Sequence, residues 1–326
     1  MDLTSAVVIA TYNGEKYILE QIESIINQTR KPDYIVISDD NSKDRTIEIC
    51  KKSLSTCGIP YNIVSNMGNK GVANNFFNGL SFCKQDIIFF SDQDDIWLNK
   101  KIENTMDIFE KYSKCIMVIH NAFIWKKEKK DCETLFEKYE LNILFDSTGK
   151  FNKELYWNRL IQKNFAVGMC MAINKRIAHI QYKDLNIYHD VWFNVLCAAL
   201  GDIYCLKEPI AFYRLHKDNV QGIAKSLTLN SVKECVGRNW NSLIKEEEKL
   251  SFIKQLQENM SFLTHNNVTL LKVKYDFLKK RKKYIKEHKV WELIKDVCMR
   301  DGSVDYTSYY FFVRDIISCL FYREKL

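Results

Sequence analysis

Three carboxylates crowd into four residues of the chain, at Asp92, Asp94 and Asp95. They follow an apolar run at residues 87–90 that predicts a short buried strand. Carboxylates this close repel one another unless a cation binds them. Open α/β folds place ligands at the carboxyl edge of a parallel sheet, where Mg²⁺ or Mn²⁺ also holds phosphate oxygens. The cluster therefore predicts a divalent metal site. The alternative is a polar turn that caps a helix beginning near Leu98.

The elements that would position this cluster follow a repeating strand and helix pattern. Short apolar runs recur about 25 to 30 residues apart in the first third of the chain, as in parallel sheets built from strand, helix, strand units. Strands are predicted at residues 6–10, 34–38, 61–65, 87–90, 115–120 and 167–173. Helices are predicted at residues 15–28, 43–54 and 191–200, the second with Ser42 as its N-cap and the third after Asp190.

Polar segments follow each of the first four predicted strands. They lie at residues 11–14, 39–42, 66–75 and 92–95. Because the carboxyl ends of parallel strands share one sheet edge, we expect these segments to meet. A tyrosine face for a base, a carboxylate for a base N–H and a metal for a diphosphate together predict a nucleotide site. Each segment alone is also an ordinary turn or helix cap.

Composition restricts the class of protein. The chain has 326 residues, 46% of them hydrophobic, which is enough for a sizeable core and argues against disorder. Eleven cysteines lack zinc-like spacing, and no basic stretch precedes the first apolar run, so we expect a reduced, cytoplasmic protein. The apolar runs are too short or too interrupted by charges to span a membrane.

The positive charge is concentrated in the last third. Residues 225–326 contain 20 Lys and Arg against 13 Asp and Glu, which accounts for the whole formal charge of +7. Apolar residues recur there at helical spacing beside the basic run at residues 279–283. The aromatic segment 309–323 is too charged to span a bilayer but suits a membrane interface. Packing on the preceding domain or in a homodimer is the alternative.

Several ordered motifs resemble one enzyme family. They read VVIATYNG at 7–14, VISDDNSKDRT at 36–46, FSDQDDIW at 90–97, HD at 189–190 and YRLHKDN at 213–219. Together they resemble the family 2 glycosyltransferases, which are inverting enzymes of the GT-A fold, and the later motifs resemble the bacterial rhamnosyltransferase-like branch. The resemblance covers residues 5–222. It implies a mostly parallel, Rossmann-like nucleotide-binding sheet flanked by helices.

The resemblance also implies a donor nucleotide site. Its residues would be Thr11, Tyr12 and Asp39 at a pyrimidine base, Asp92 near the ribose and the sugar diphosphate, and Lys70 and Asn75 in a segment that contacts the donor. For Lys70 the alternative is an ordinary exposed lysine.

The metal and catalytic residues are implied in the same way. Asp94 would bind Mn²⁺ or Mg²⁺ as the DxD ligand, with His216 as a further ligand or an exposed loop histidine. Asp95 would support Asp94 or face the donor sugar. Inverting transfer is a single in-line displacement, so a base must take the acceptor proton. Asp190 occupies that position in the family, with helix capping as the alternative, and His189 would orient or polarise it.

The expected function is transfer of a single sugar. The second motif has Asp-Asn-Ser where many relatives have Asp-Gly-Ser, and the spans and Gln-x-x-Arg-Trp motif of processive synthases are not apparent. We expect dTDP-rhamnose, or secondly a UDP-hexose, as donor, and a glycan or lipid-linked acceptor in bacterial capsule, O-antigen or cell-wall polysaccharide synthesis. Alternatives are a sugar-phosphate nucleotidyltransferase, whose usual Gly-rich N-terminal loop is missing, or an inactive scaffold or nucleic-acid-binding protein, for which no RNA-binding motif is visible.

The expected organisation is a GT-A catalytic domain at residues 1–224 and a basic α-helical region at 225–326. Within the first domain, residues 1–97 would form the nucleotide-sugar half and 98–224 the acceptor half. The basic region would bring the enzyme to the inner face of the cell membrane.

Overall fold

The computed structural model describes residues 2–126, 129–162, 164–165, 167–180, 187–216, 229–298, 315–316 and 318–320. Contacts divide the chain into two compact units. The first comprises Met1–Tyr156, Phe165–Lys183 and Tyr188–Gly222, and the second comprises Trp157–Asn164, Asp184–Ile187 and Ile223–Leu326. The domain boundaries at residues 97 and 224 remain predictions.

The described strands form one mixed sheet. They are β1 (Ser5–Thr11), β2 (Tyr34–Asp39), β3 (Tyr61–Ser65), β4 (Ile87–Asp92), β5 (Ile96–Trp97), β6 (Cys115–Lys126), β7 (Lys129–Thr134), β8 (Met171–Asn174) and β9 (Asp202–Leu215). The strand order is β3-β2-β1-β4-β8-β6-β9-β5, with β7 paired to β6. Strands β1 to β4 are parallel, β8 is antiparallel to both neighbours, and β9 is parallel to β6.

Helices cover much of the remaining described chain. They are α1 (Ile18–Ile26), α2 (Thr46–Leu54), α3 (Val72–Leu80), α4 (Lys101–Lys111), α5 (Leu135–Lys138), α6 (Lys153–Gln162), α7 (Lys175–Ala178), α8 (His189–Leu200), α9 (Leu229–Met260), α10 (His265–Lys286) and α11 (Val290–Cys298). Among the described residues, no helix combines the length and apolar character needed to cross a membrane.

Alternating residues of β1 pack against two different helical layers. Val7 and Ile9 share a buried cluster with Ile18 of α1. On the opposite face, α3 approaches so closely that a Cβ on Gly79 would lie 2.5 Å from Cγ1 of Val8. Since both faces of the parallel strands are covered, polar groups of these strands collect at the open carboxyl edge. The predicted α/β class is confirmed.

Some predicted elements begin at different residues. Helix α2 begins at Thr46 with Arg45 at its N-cap position, so the predicted Ser42 N-cap is wrong. The Ser42 hydroxyl donates to Asp39 Oδ1 instead, at 2.5 Å. Helix α8 begins at His189, so Tyr188 is its N-cap and Asp190 lies inside the first turn. The predicted strand at 167–173 begins with a 3₁₀ turn, Gly168–Cys170, and becomes extended only at Met171.

The second unit is helical, as predicted, and contains buried charges. Lys249 is 1% exposed, and its ammonium lies 2.8 Å from Glu246 and donates to the Leu160 carbonyl at 3.1 Å. Of the aromatic segment 309–323, the structure describes only residues 315–316 and 318–320. There Asp315 is fully buried and accepts a 2.8 Å hydrogen bond from Arg281 Nε. This contact favours packing over a membrane interface for the described part of that segment.

Candidate active site

A cavity of about 580 Å³ opens at the carboxyl ends of the parallel strands. The ends meet because Thr11 pairs with Asp39 across β1 and β2, and Ala10 pairs with Asp92 across β1 and β4. The cavity is lined by Ala10, Tyr12, Asp40, Lys70, Gly71, Val72, Asn75, Asp92, Gln93, Asp94, Val167, Gly168, Tyr188, His189, Asp190 and Tyr213. Residues far apart in the sequence thus share one pocket.

The acidic cluster lies beside the end of β9. Asp94 Oδ2 is 2.8 Å from Nε2 of His216. Asp95 is only 1% exposed, and its Oδ1 accepts a 3.0 Å hydrogen bond from the Arg214 backbone N–H. Its Oδ2 is buried without a hydrogen-bond partner among the described atoms. The side chains of Asp94 and His216 therefore converge, and Asp95 supports the loop from inside the protein.

Electrostatic strain concentrates at this loop. Burial, followed by the charges of Asp94 and Asp190, raises the pKa of Asp92 to about 7. Burial, followed by the same Asp94 charge and that of Asp92, raises the pKa of Asp95 well above its usual value. Both shifts arise because ionised carboxylates are held near one another with little water. A bound cation would relieve the repulsion.

The side-chain groups available at Asp94 and His216 suit a divalent cation. Carboxylate oxygen and imidazole nitrogen are ligands that Mn²⁺ accepts, and Mg²⁺ favours the oxygens. Within the described ranges, no three His, Cys, Asp or Glu side chains converge as a closed metal site. Two side-chain ligands, Asp94 and His216, would leave coordination positions for water or phosphate oxygens, as is usual where a protein binds a metal nucleotide.

A buried cation of the protein lies behind the acidic loop and was missed from the sequence. Lys101 is fully buried, donates to the Met169 carbonyl at 2.8 Å and lies 3.6 Å from the Trp97 ring centroid. Burial lowers the pKa of Lys101 to about 7, although Cys170, Asp95 and Asp92 oppose the shift. Lys101 opens a helix rich in charged residues, where a lysine is usually exposed. Its burial therefore follows only from tertiary packing and could not be predicted from the sequence.

One side of the cavity presents Tyr12, which is 55% exposed. Its backbone is fixed by Gln93, whose Oε1 accepts from Tyr12 N–H at 2.9 Å and whose Nε2 donates to the Tyr12 carbonyl at 3.0 Å. Gln93 lies between two of the clustered aspartates, and the sequence motif gave no role to it. The structure thus joins the first motif to the acidic loop.

Asp40, rather than its neighbour, reaches the cavity. Asp39 is 4% exposed, and its carboxylate accepts hydrogen bonds from the Thr11 hydroxyl at 2.8 Å and from Ser42. Asp40 accepts from the Gly71 backbone N–H at 2.8 Å. Thr11 and Asp39 do not line the cavity, so their direct contact with a base stays a prediction, and Asp40 is the carboxylate that sequence analysis overlooked.

The predicted donor residues Lys70 and Asn75 both line the cavity. The Asn75 side chain is 2% exposed, accepts from the Ser38 hydroxyl at 2.7 Å and donates to the Thr11 carbonyl at 3.1 Å. These bonds tie α3 to the ends of β1 and β2. Lys70 lies in the exposed loop before α3.

The first turn of α8 brings Asp190 and His189 to the cavity. Asp190 Oδ1 accepts a 2.7 Å hydrogen bond from the Val191 backbone N–H. His189 is 4% exposed, its ring centroid lies 4.0 Å from that of Phe76, and both ring nitrogens lack described partners. Burial lowers the pKa of His189 to about 3, so the imidazole is neutral. A neutral ring can contact a sugar but supplies no charge to Asp190.

Comparisons with known proteins agree with this architecture. The chain is 42% identical over 103 residues to the dTDP-rhamnosyl transferase RfbG of Shigella flexneri, a match that covers 30% of this chain and 36% of RfbG. Its fold resembles Staphylococcus aureus TarS 1-349 in complex with UDP-GlcNAc, with a TM-score of 0.55, 15% identity and coverage of 97% and 89% of the two chains.

A second structural neighbour is the mannosyltransferase PcManGT from Pyrobaculum calidifontis in complex with GDP-Man and Mn²⁺. The TM-score is 0.57 at 11% identity, with coverage of 99% of this chain and 89% of that chain. At such identities the two structures show the fold alone, which is GT-A. The model of the family described as glycosyl transferase family 2 matches residues 6–180, more than half of the chain. The chain therefore belongs to glycosyl transferase family 2.

Proposed function

We propose that the protein is an inverting, metal-dependent glycosyltransferase that moves one sugar from a nucleotide donor to a glycan or lipid-linked acceptor. The observation that carries the proposal is the convergence, in one cavity, of an exposed Tyr12, the acidic loop and Asp190. An aromatic face and the Asp40 carboxylate suit a nucleobase, whereas the acidic loop suits a cation with a diphosphate. Family membership sets aside the sugar-phosphate nucleotidyltransferase alternative.

In the proposed reaction Asp190 accepts the proton of the acceptor hydroxyl as its oxygen forms a bond to the anomeric carbon. The bond from that carbon to the diphosphate oxygen breaks on the opposite face, so the configuration inverts. Asp94 and His216 would hold Mn²⁺ or Mg²⁺, which when bound stabilises negative charge on the departing diphosphate. His189 would contact the donor sugar.

The donor is proposed from similarity to a sequence relative. Similarity to RfbG favours dTDP-rhamnose, and a UDP-hexose is the second candidate because a carboxylate facing the base reads the imide edge that thymine and uracil share. The acceptor would belong to bacterial surface polysaccharide synthesis.

The basic helix α10 supports a membrane-proximal location. Lys272, Lys279, Lys280, Lys283 and Lys286 are all exposed, at spacings that place them along one side of the helix. Trp291, which follows in α11, is 72% exposed. Basic residues near an anionic bilayer contribute about 1 kcal/mol each before screening. We therefore propose peripheral attachment through α10 to the inner face of the cell membrane.

The donor class is tested by a thermal-shift screen of dTDP, UDP, GDP and ATP with and without Mn²⁺. A ligand that binds only the folded state raises the melting temperature. We expect a shift with dTDP or UDP plus Mn²⁺ and none with ATP. Equal shifts with every nucleotide, or a shift with ATP alone, would refute the pyrimidine donor.

Binding of Mn²⁺ should strengthen between about pH 5 and pH 8, since protons compete for ionised carboxylates. The pKa of Asp92 is raised to about 7 in the folded protein. Protonation of Asp92 therefore stabilises the folded state at low pH, and this stabilisation is lost as pH rises through 7. The Mn²⁺-induced rise in melting temperature should therefore grow across this window. Asp94→Asn should lose most of the rise, and a pH-independent shift would contradict the assignment.

Asp190→Asn should lower sugar transfer by a factor of about 10² to 10⁴, the usual effect of losing a general base. Asparagine is nearly isosteric, and its carbonyl can still accept the Val191 N–H. Nucleotide affinity and melting temperature should therefore stay unchanged in the variant. Turnover equal to the wild type, measured as nucleotide release from the selected donor, would assign Asp190 to the helix terminus instead.

The full-length protein should sediment with phosphatidylglycerol-containing vesicles at low salt and dissociate at high salt, since salt screens exposed charges. Replacing Lys272, Lys279 and Lys283 by glutamine should release it. The matched control replaces Lys51, Lys52 and Lys84, which are equally exposed lysines of the first unit. Equal release by both triple variants would show that net charge alone drives the association.

A further inference from the structure

Arg214 contacts Asp94 and Asp95 in the acidic loop after β4. Its backbone N–H donates to Asp95 Oδ1 at 3.0 Å, and its Nε donates to the Asp94 carbonyl at 2.8 Å. One residue of β9 thus holds two successive residues of the loop after β4. Arg214 is not among the residues that line the cavity.

The guanidinium is itself fixed on several sides. It lies 4.4 Å from the Trp125 ring centroid and 4.9 Å from that of Tyr17, and its side chain is 13% exposed. It also forms an ion pair with Glu20 of α1. Because Arg presents a planar fork of donors, it can bind the loop carbonyl and the Glu20 carboxylate at the same time.

The same aromatic ring connects Arg214 to the second proposed metal ligand. Tyr17 stacks on the His216 ring with a centroid distance of 4.6 Å and an interplanar angle of 28°. His216 in turn lies 2.8 Å from Asp94 Oδ2. The contacts therefore form a continuous ring: Arg214 binds the Asp94 backbone, the Asp94 carboxylate contacts His216, His216 stacks on Tyr17, and Tyr17 contacts Arg214.

We propose that Arg214 is a positioning residue that holds Asp94 and His216 in the geometry a divalent cation requires, without touching the cation or the donor. The inference rests on the proposed metal site. Groups that orient metal ligands through hydrogen bonds limit the motion of those ligands and so raise metal affinity. Metal-ligating side chains that are already held in position lose less conformational freedom when the cation binds.

A purely structural role predicts a different outcome. If Arg214 acted only by pairing with Glu20, removing that ion pair would reproduce the effect of removing the arginine. Glu20→Gln tests this, because it eliminates the negative partner while leaving Arg214 Nε and its backbone bond in place. Arg214→Lys retains the positive charge near Glu20 but lacks the planar fork that reaches the Asp94 carbonyl.

The experiment measures Mn²⁺ binding to the full-length protein by electron paramagnetic resonance of free Mn²⁺, with UDP or dTDP present. We expect Arg214→Lys and Arg214→Gln to raise the Mn²⁺ dissociation constant by about 10 to 100 fold, the usual effect of losing an orienting partner. Glu20→Gln should stay close to the wild type. Nucleotide binding in EDTA should be unchanged in all variants, and this control result would show that the variants remain folded.

Wild-type Mn²⁺ affinity in a folded Arg214 variant would overturn the inference and leave the metal site standing. Equal weakening in Glu20→Gln and Arg214→Lys would also overturn it in favour of the ion pair. Failure of the wild type to bind Mn²⁺ would overturn the proposed metal site and this inference together. The glutamine variant keeps the test decisive if the lysine variant does not fold.

Discussion

Repulsion among the carboxylates at the end of β4 is the constraint on which the site depends. Ionised carboxylates in a poorly solvated environment disfavour one another strongly, and without compensation the loop would rearrange toward solvent. The protein supplies a backbone N–H to Asp95, an imidazole to Asp94 and the buried Lys101 ammonium behind them. The compensation is incomplete, so the pKa values of Asp92 and Asp95 stay raised, and a cation bound here would reduce the remaining repulsion.

The sheet restrains this loop from both ends. Residue Asp92 ends β4, which pairs with β1, and Ile96 opens β5, which pairs with Phe212 of β9. Only residues 93–95 lie between the two strands. Strand β9 follows β6 through several register shifts before it reaches β5, so its last residues arrive beside the acidic loop. Two sheet neighbours distant in sequence therefore determine the position of a three-residue segment.

The sequence predicted what depends on local pattern. The first four strands follow from apolar runs, and the pairing of Asp94 with His216 in space agrees with the motif that suggested both. The features that the sequence did not predict depend on contacts between segments distant in sequence. Strand β5 has two residues and exists only because β9 pairs with it.

The choice between Asp39 and Asp40 likewise depends on the partners of each side chain. Asp39 ends β2 and turns its carboxylate to Thr11 and Ser42, whereas Asp40 accepts from the Gly71 backbone N–H beside the cavity. No rule of residue spacing predicts which of two adjacent aspartates faces the cavity. Lys101 is a similar case, because its burial depends on Met169 and Trp97, which no helical pattern predicts.

The two hydrogen bonds of Gln93 have a thermodynamic consequence. They connect the backbone of Tyr12, at the cavity, to a residue flanked by Asp92 and Asp94. If a nucleobase binds at Tyr12 as proposed, a shift of the Tyr12 backbone would therefore also move the segment that carries the acidic groups. Linkage requires reciprocity, so a nucleotide that strengthens cation binding through this connection is itself bound more tightly, by the same factor, when the cation is present.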